Sequence, residues 1–309
     1  MKRIALVRYG SVFRYPRKAA KYFFSSIYPL IIRIFPLPKV LSIEDTLDEI
    51  INNKKSIARF GDGEFLYILD KLNLPFQKYD IVLANYLKEL LLSDDEMLLI
   101  GLPSGYHGLN GLNREGKVFW RSQISWIYPR LKKYLNLKKQ YANASITRLY
   151  IEIQDKKRSK ILFDKVKLIW EGRDVVLVEG EKSRLGVGND LFDRAKSIVR
   201  ILAPAKNAFS ICDSIVEQVL VFPKEVLVLI ALGPTAKVVV QKIHSFGYQA
   251  VDIGNVDIEY EWFKMNATEK VKINGKYTSE AIGGREVADI NDQKYNEQIR
   301  VNLANGEEI

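Results

Sequence analysis

Short apolar segments typical of β-strands alternate with helical patterns along most of this chain. Residues 43–53 follow a capping serine, Ser42, and repeat apolar side chains at helical spacing, as do residues 80–92 and 118–134. The strand-like segments lie at 56–60, 97–100, 144–147, 174–178, 197–202, 226–231 and 249–253. Because strands that alternate with helices are typical of α/β proteins, the sequence predicts a doubly wound, mostly parallel sheet.

Cysteine and histidine are scarce, which limits the chemistry that the chain can perform. The single cysteine, Cys212, excludes an internal disulfide and a cysteine-based metal site, and this fits a reducing compartment. His107 and His244 are the only histidines, so any bound metal ion must be held by oxygen ligands. The length of 309 residues permits one large domain or two small ones.

Almost all of the net charge lies in the N-terminal segment. Residues 1–43 hold nine basic side chains and no acidic one, whereas the net charge of the whole chain is +10. The bases are Lys2, Arg3, Arg8, Arg14, Arg17, Lys18, Lys21, Arg33 and Lys39. Aromatic and aliphatic side chains accompany them between Tyr22 and Phe35. Since bases mixed with apolar groups suit binding to anionic lipid, we predict an interfacial, basic, aromatic-rich arm over residues 1–41.

Other roles for this arm are less compatible with its sequence. A transmembrane span is disfavoured because the apolar run is short and is interrupted by Pro29, Arg33 and Pro36. No secretory cleavage site follows the apolar part, and no nucleic-acid-binding motif accompanies the bases, so nucleic acid is not an expected partner. Packing against the rest of the chain or against a second subunit stays open. We expect a cytoplasmic protein that is peripheral on the inner face of the cell membrane.

The first of three junctions with ligand-binding side chains follows the strand at 56–60. Its sequence, RFGDGE at residues 59–64, places Gly61 where a ligand can approach the backbone closely. Arg59 can pair with a phosphate or with either of the acids Asp62 and Glu64. By itself this is a weak signal, because a Gly-Asp-Gly sequence is more often simply a turn.

The second junction is the loop EGEKSRLGVGND at residues 179–190, between a strand and an expected helix that begins near Asn189. Glycines and bases at such a crossing form loops whose amides and cations bind a diphosphate. The spacing matches neither a Walker loop nor a dinucleotide-binding fingerprint, which argues against a kinase and an NAD enzyme. Besides Lys182, the candidate substrate-binding residues are Glu181, Ser183, Arg184, Gly186, Gly188 and Asn189.

The third junction is Gly233-Pro234-Thr235, after the very apolar strand at 226–231. Thr235 is positioned to cap the next helix and to offer backbone amides to an anion, although a cap without a ligand is equally compatible with the sequence. All three junctions would lie at one edge of a parallel sheet, beyond the carboxyl ends of its strands, where ligands collect in such folds.

Three acids follow the last predicted strand. Asp257, Glu259 and Glu261 alternate with Ile258 and Tyr260, and in an extended backbone this period of two would direct all three carboxylates to one side. Crowded carboxylates repel one another and are best tolerated around a divalent cation or a cationic ligand. The alternative is an edge strand with a solvated acidic face.

The strings IARFGDGEF, EGEKSRLGVGNDLF, ALGPTA and DIGNVDIEYEWF, in this order, resemble the bacterial glycosyltransferases of the GT-D fold, formerly domain of unknown function 1792. The resemblance covers residues 43–278 and implies a Rossmann-like nucleotide-sugar transferase with a divalent metal ion and an Asp-x-Glu motif. Two triplets fit that motif, Asp62-Gly63-Glu64 and Asp257-Ile258-Glu259. We place Mn²⁺ or Mg²⁺ at Asp257 and Glu259, beside Glu261, and the reverse assignment stays open.

The implied reaction moves a hexose, with UDP-glucose or UDP-galactose as the expected donor, to a lipid-linked or protein-linked glycan acceptor at the cell surface. A metal ion, Lys182 and Arg184 would neutralise the departing diphosphate. An inverting reaction also needs a base; Glu261 and Asp62 are the candidates, and Glu261 is slightly favoured. We expect a catalytic domain over residues 42–280 and a peripheral tail over 281–309. The alternatives are a sugar-phosphate nucleotidyltransferase or phosphotransferase and a non-catalytic nucleotide- or glycan-binding subunit.

Overall fold

The computed structural model describes residues 14–305, and within them nine strands form one sheet. The strands are β1 (Lys39–Val40), β2 (Ser56–Arg59), β3 (Leu98–Leu102), β4 (Gln140–Asn143), β5 (Asp174–Gly180), β6 (Ser197–Ala203), β7 (Leu227–Ala231), β8 (Gln249–Asp252) and β9 (Ile299–Asn302). Their order is β1-β4-β3-β2-β8-β7-β5-β6-β9, and all of these pairings are parallel. The predicted α/β class with a doubly wound, mostly parallel sheet is confirmed.

Helices cover both faces of this sheet. They are α1 (Arg14–Ser26), α2 (Tyr28–Ile34), α3 (Ile43–Asn52), α4 (Asp62–Asp70), α5 (Ile81–Leu91), α6 (Ser104–His107), α7 (Arg114–Leu131), α8 (Lys156–Val166), α9 (Cys212–Leu220), α10 (Thr235–Ser245), α11 (Val256–Lys264) and α12 (Gln293–Gln298). Helices α4, α5, α7, α9 and α10 contribute to the core on one face, and α3, α8 and α11 to the core on the other.

The apolar runs of the sequence arise because the central strands are buried on both faces. In β5, Val176 and Val178 join one core while Val175 and Leu177 join the other. Successive side chains of a strand point to opposite faces, so a strand between two helical layers must be apolar throughout. This is why the positions of β5 and β7 could be predicted closely from the sequence.

Capping residues fix several of the helix starts that the sequence predicted. The amide of Asp45 donates to Ser42 Oγ at 3.0 Å at the start of α3, and Asp80 accepts from two amides at the start of α5. The strand predicted at 144–147 is wrong. Strand β4 ends at Asn143, whose side chain accepts from Ser145 N at 3.0 Å and closes a 3₁₀ turn, because asparagine hydrogen-bonds the backbone two residues on.

The described part of the N-terminal arm, from residue 14 onward, lies on the domain, which was one of the alternatives left open. Helices α1 and α2 pack on α7, where the ring of Phe24 meets that of Trp126 edge to face at 5.0 Å between centroids. The hydroxyl of Tyr128 donates to the carbonyl of Pro36 at 2.5 Å. Lys2, Arg3 and Arg8 lie outside the described residues. Among the helices that the structure describes, none combines the length and apolarity needed to cross a membrane.

The C-terminal segment contributes to the sheet. Strand β9 pairs with β6 at the sheet edge, so part of the segment after residue 281 belongs to the main fold. Residues 306–309 lie outside the described range.

The topology creates a crevice at the carboxyl ends of β5 and β7, which are neighbours in the sheet. From β7 the chain continues to β8 on one side, and from β5 it continues to β6 on the other. Ligands of open α/β sheets bind at such a reversal of strand order, beyond the carboxyl ends of the strands.

Candidate functional site

A cavity of about 550 Å³ opens at this carboxyl edge. The loops after β2, β5, β7 and β8 all line it, so the three junctions predicted from the sequence come together. The predicted site residues that line the cavity are Arg59, Gly61, Asp62, Glu64, Ser183, Gly233 and Asp257. A volume of this size is typical of a pocket for a small-molecule ligand.

Asp62 is the first residue of α4 and lies in the cavity. Among the described residues, its carboxylate has no hydrogen-bond or ion-pair partner. Burial, with a further contribution from the nearby carboxylates Glu64 and Glu280, raises the pKa of Asp62 to about 6. A carboxyl with a pKa near neutrality can both accept and release a proton, which is the property of a general base.

Arg59 and Glu64 are held by buried ion pairs. Arg59 Nη2 lies 2.9 Å from Asp252 Oδ1 at the end of β8 and also donates to the carbonyl of Gly254. Nε and Nη1 donate to the backbone carbonyls of Asp252 and Ala144. Lys237 from α10 lies 2.9 Å from Glu64 and 3.3 Å from Asp252. Burial alone would raise the pKa of Asp252, but the charges of Arg59 and Lys237 outweigh it and lower that pKa. These contacts tie β2, β8 and α10 together below the cavity.

The glycine loop after β5 divides between two cavities. Gly180, Lys182 and Ser183 line the main cavity, whereas the loop's second half lines a separate cavity of about 730 Å³ next to α12. That second half includes Gly186, Gly188 and Asn189. No helix follows the loop, contrary to the prediction, since residues 189–196 form turns that lead directly into β6. Most amides of the loop already donate within the protein, so the side chain of Lys182, rather than a helix N-terminus, is the anion-binding group that the loop offers to the main cavity.

Arg184 points away from the main cavity. Its side chain is buried, and Nη1 donates to the carbonyls of Gly275 and Ala288 at 2.8 Å each. The position of Arg184 therefore does not support the predicted role in binding the diphosphate. Glu181 lines neither cavity.

Gly233 is the member of the third junction that lines the cavity. Its φ is +55°, and a Cβ on it would lie 2.3 Å from the ring of Phe76, so only glycine fits there. Thr235 is the first residue of α10 and does not cap it. Its fully buried hydroxyl lies 3.4 Å from Gln77 Oε1, while Pro234 holds the cap position.

The three acids after β8 lie on a helix, so their predicted extended backbone is wrong. In α11, Asp257 and Glu261 are four residues apart and share one face, because the helical period is 3.6 residues. Lys276 lies between them, 2.7 Å from Asp257 and 2.8 Å from Glu261, and Asn189 donates to both. Glu259 lies on a different face, where it accepts the amides of Tyr150 and Ile151 at 2.9 Å each.

This arrangement does not fit a metal ion shared by Asp257 and Glu259. The two carboxylates have different partners, and burial raises the pKa of Glu259 to about 7 against the opposing charge of Arg148. In residues 14–305, no group of three or more His, Cys, Asp and Glu side chains is arranged to hold a metal ion. The cation that neutralises Asp257 and Glu261 is the ammonium of Lys276.

Known proteins resemble this chain in sequence and in fold. The family model described as the glycosyltransferase GT-D fold matches residues 57–281. The chain belongs to the family of GT-D fold glycosyltransferases. The family expected from the resemblance is thereby confirmed, and with it the enzyme class.

Two curated streptococcal relatives align with 268 residues of this GT-D chain. The probable glycosyl transferase Gly of Streptococcus gordonii is 40% identical, and the glycosyltransferase GlyD of Streptococcus pneumoniae is 37% identical. Each alignment covers 86% of this chain but only 39% and 33%, respectively, of the relative's length. The chain thus spans between a third and two fifths of these relatives.

Solved structures agree with the family. A glycosyltransferase from Streptococcus sanguinis has a TM-score of 0.81 and 38% identity, covering 86% of this chain and all of that one. A domain described as having a distinct glycosyltransferase fold has a TM-score of 0.79 and 37% identity, covering 92% of this chain and 98% of that one.

Several residues that line the main cavity were missed by the sequence reasoning. They include Asp252, Lys237, Arg148, Glu152 and Glu280. Two of them carry a local signal, since an acid ending the apolar strand AVD and a lysine within the apolar stretch TAKVVV both suggest a buried ion pair. The others have no such signal. Arg148 forms an ion pair with Glu280, which lies more than a hundred residues further along the sequence. Burial alone would raise the pKa of Glu280, but the charges of Arg148 and Lys270 outweigh it and lower that pKa.

Proposed function

We propose that this glycosyltransferase moves a hexose from a nucleoside diphosphate sugar to a hydroxyl of a glycan acceptor. The observation that carries the proposal is the cavity at the strand reversal, where a glycine-rich loop with Lys182 lies across from the unpartnered carboxylate of Asp62. The loop with Lys182 suits binding of a departing diphosphate, and the carboxylate of Asp62 suits acceptance of the proton of the acceptor hydroxyl. UDP-glucose and UDP-galactose are the donors proposed.

The diphosphate would lie at the carboxyl ends of β5 and β7. Gly180, Lys182 and Ser183 come from the loop after β5, and Gly233 comes from the loop after β7. A small-residue backbone with an adjacent lysine allows close approach and charge neutralisation of phosphate oxygens. In this proposal the leaving group lies on the first half of the glycine loop only.

Replacing Lys182 with methionine should weaken UDP binding by about 1.5–3 kcal/mol, because a charge-assisted hydrogen bond to phosphate is lost. Lys196→Met is the matched control, since Lys196 is exposed and pairs with Asp174 at the far end of β5. Calorimetric titration of UDP into both variants measures the difference. Equal affinities for the two variants would move the diphosphate away from this loop.

Asp62 is the general base that the geometry supports best. Glu261, which was slightly favoured from the sequence, does not line the cavity and is engaged by Lys276 and Asn189. Asp62 lies in the cavity, and its raised pKa makes its carboxylate a stronger base than an ordinary aspartate. In the proposed step the acceptor oxygen bonds to the anomeric carbon, the bond to the diphosphate breaks, and the acceptor proton passes to Asp62.

A requirement for Mn²⁺ or Mg²⁺ stays a prediction, but its placement at Asp257 and Glu259 is not supported by their positions. A divalent cation that enters with the sugar nucleotide would neutralise charge on the leaving diphosphate. The chain's own residues contribute the charge of Lys182 for the same purpose.

Association with an anionic membrane is a further part of the proposed function, and the exposed side of the arm supports it. Tyr22, Phe23, Leu30 and Ile34 are each more than half exposed, although they are large and apolar. Lys18 and Arg33 are exposed on the same two helices. Apolar side chains beside bases bind anionic bilayers through insertion and charge together. The protein would then work at the cytoplasmic face, where lipid-linked acceptors are presented.

Replacing Phe23 and Leu30 together with serine should reduce binding to vesicles containing anionic lipid by about tenfold or more, since each buried apolar side chain contributes roughly 1.5–3 kcal/mol. The matched control is Ile161→Ser with Met265→Ser, two exposed apolar side chains elsewhere on the surface. Co-sedimentation with anionic and with neutral vesicles gives the comparison. If both double variants sediment like the unmodified protein, the arm is not the membrane anchor.

A panel of nucleotide sugars, screened for slow hydrolysis with and without EDTA, tests the proposed function without knowledge of the acceptor. The proposal expects release of UDP and free hexose from at least one donor. The alternative of a non-catalytic subunit expects binding of UDP without hydrolysis of any donor, and full activity in excess EDTA would remove the metal from the proposal.

A further inference from the structure

The cavity has two ends of different chemistry. The end at β5 and β7 is glycine-rich and carries Lys182. The opposite end, below β3 and β4, is lined by Phe119 and Trp120 from α7 together with Ser145 and Glu152. Asp62 lies between the two, since it starts α4 after β2 and the charge of Glu152 contributes to its raised pKa.

The aromatic end is built rigidly. The rings of Phe119 and Trp120 are 5.0 Å apart and nearly perpendicular, at 81°. Trp120 Nε1 donates to Glu152 Oε2 at 3.0 Å, which fixes the plane of the indole. Behind it, a Cβ on Gly105 would lie 2.7 Å from the indole ring, so Trp120 fits tightly against a position that has no side chain. Two fixed aromatic rings and a carboxylate therefore face a cavity that already has a base.

We propose that this aromatic end binds a sugar ring of the acceptor and thereby places its hydroxyl at Asp62. The C–H faces of a pyranose ring are apolar and pack on aromatic rings, while its hydroxyls need acceptors such as the carboxylate of Glu152 and the hydroxyl of Ser145. A diphosphate would be repelled there, since Glu152 and Asp62 are both acidic. The inference rests on the proposed glycosyl transfer and adds the residues that select its acceptor.

The position of the arm agrees with this assignment. Helix α1 packs on α7, and the ammonium of Lys21 lies 5.9 Å from the centroid of the Phe119 ring. The aromatic end is therefore the end of the cavity nearest the exposed apolar residues of the arm. An acceptor whose lipid portion lies in the membrane would reach its subsite from that side.

The test compares transfer with hydrolysis in Phe119→Ala, Phe119→Leu and the control Phe246→Ala. Phe246 is a half-exposed phenylalanine before the start of β8, at the opposite edge of the sheet from the cavity. The donors are UDP-glucose and UDP-galactose, and the acceptor probes are the methyl β-glycosides of glucose and galactose. Transfer is measured as labelled disaccharide and hydrolysis as labelled free hexose.

The proposal expects Phe119→Ala to lower the ratio of transfer to hydrolysis by roughly fivefold through a higher KM for the glycoside, which corresponds to about 1 kcal/mol for the lost aromatic contact. Phe119→Leu should lower the ratio of transfer to hydrolysis by less, because leucine keeps apolar area but has no ring. Phe246→Ala should leave the ratio unchanged. Equal ratios in Phe119→Ala and Phe246→Ala overturn the acceptor subsite, as does hydrolysis without transfer to either glycoside by the unmodified protein. Neither hydrolysis nor transfer of any donor would instead contradict the glycosyltransferase reaction itself, and this subsite with it.

Discussion

Asp62→Asn is expected to lower both transfer and hydrolysis of the nucleotide sugar by about 10²–10⁴-fold, the usual contribution of a general base. Asparagine keeps the shape of the side chain but cannot accept the proton. The carboxylate that it replaces has no partner among the described residues, so the loss does not come from a broken ion pair. Steady-state rates with the best donor of the nucleotide-sugar panel measure the effect.

The same variant should be more stable than the unmodified protein at neutral pH. Burial raises the pKa of Asp62 from 3.8 to about 6, so the folded state binds the proton more tightly than the unfolded state. Stability from this group is therefore lost as the pH rises from about 3.8 through about 6. Asp62→Asn removes that loss. Thermal unfolding should therefore show a higher unfolding temperature for the variant than for the unmodified protein at pH 7, and no difference below pH 4.

Asp94→Asn is the matched control, because Asp94 is exposed just before β3, at the opposite edge of the sheet. It should leave the rates of transfer and hydrolysis unchanged. The account also expects activity of the unmodified protein to rise with pH through about 6, as the base loses its proton. A variant Asp62→Asn with undiminished rates would move the base to another residue.

Lys276→Met is expected to destabilise the fold by about 3–5 kcal/mol, since removing one partner of a buried ion pair leaves an uncompensated charge. Lys276 and Asp257 are almost completely buried, and Glu261 is mostly buried, so solvent screens the pairs poorly. The loss should also loosen the cavity. Asp257 accepts from the amide of Gly186, and the amide of Tyr277 donates to Lys182 O at 2.9 Å, so Lys276 holds the segment around it against the glycine loop. Urea unfolding measures the free energy.

The double variant Lys276→Met with Asp257→Asn should recover part of that stability, because it removes one of the two stranded carboxylates. Lys272→Met is the control, since Lys272 lies in the same segment as Lys276 but is exposed and forms no ion pair with the described residues. If Asp257 and Glu261 were instead metal ligands, Mn²⁺ should stabilise Lys276→Met more than the unmodified protein. That result would return a metal ion to Asp257, one of the two ligands predicted from the sequence.

The strands and the location of the site were predictable because they depend on short-range patterns. Segments buried on both faces must be apolar, and the residues after them must lie at one edge of a parallel sheet. The acids 257–261 show where this reasoning stops. Their alternation with apolar residues fits a strand, yet the same residues also place Asp257 and Glu261 one helical turn apart, and a short run cannot distinguish the two periods.

The roles of the charged residues could not be predicted, since they depend on contacts between distant parts of the chain. Arg184 looked available for a phosphate until its partners were known, and these are carbonyls 91 and 104 residues further along. Lys276 neutralises Asp257 from a segment of irregular structure that has no recognisable pattern. Outside an apolar run such as the one around Lys237, a buried cation appears in sequence like an exposed one, so only the fold shows which bases remain for a ligand.

The most direct test of the central claim uses UDP-glucose or UDP-galactose labelled both in the sugar and in the β-phosphorus. The protein is incubated with each donor, with the methyl glycosides or water as acceptor, and the two labels are followed in the products. Glycosyl transfer predicts that the sugar label moves to the disaccharide or free hexose while all of the phosphorus label stays in UDP. Phosphorus label in a hexose phosphate would contradict the account and favour a nucleotidyltransferase or phosphotransferase.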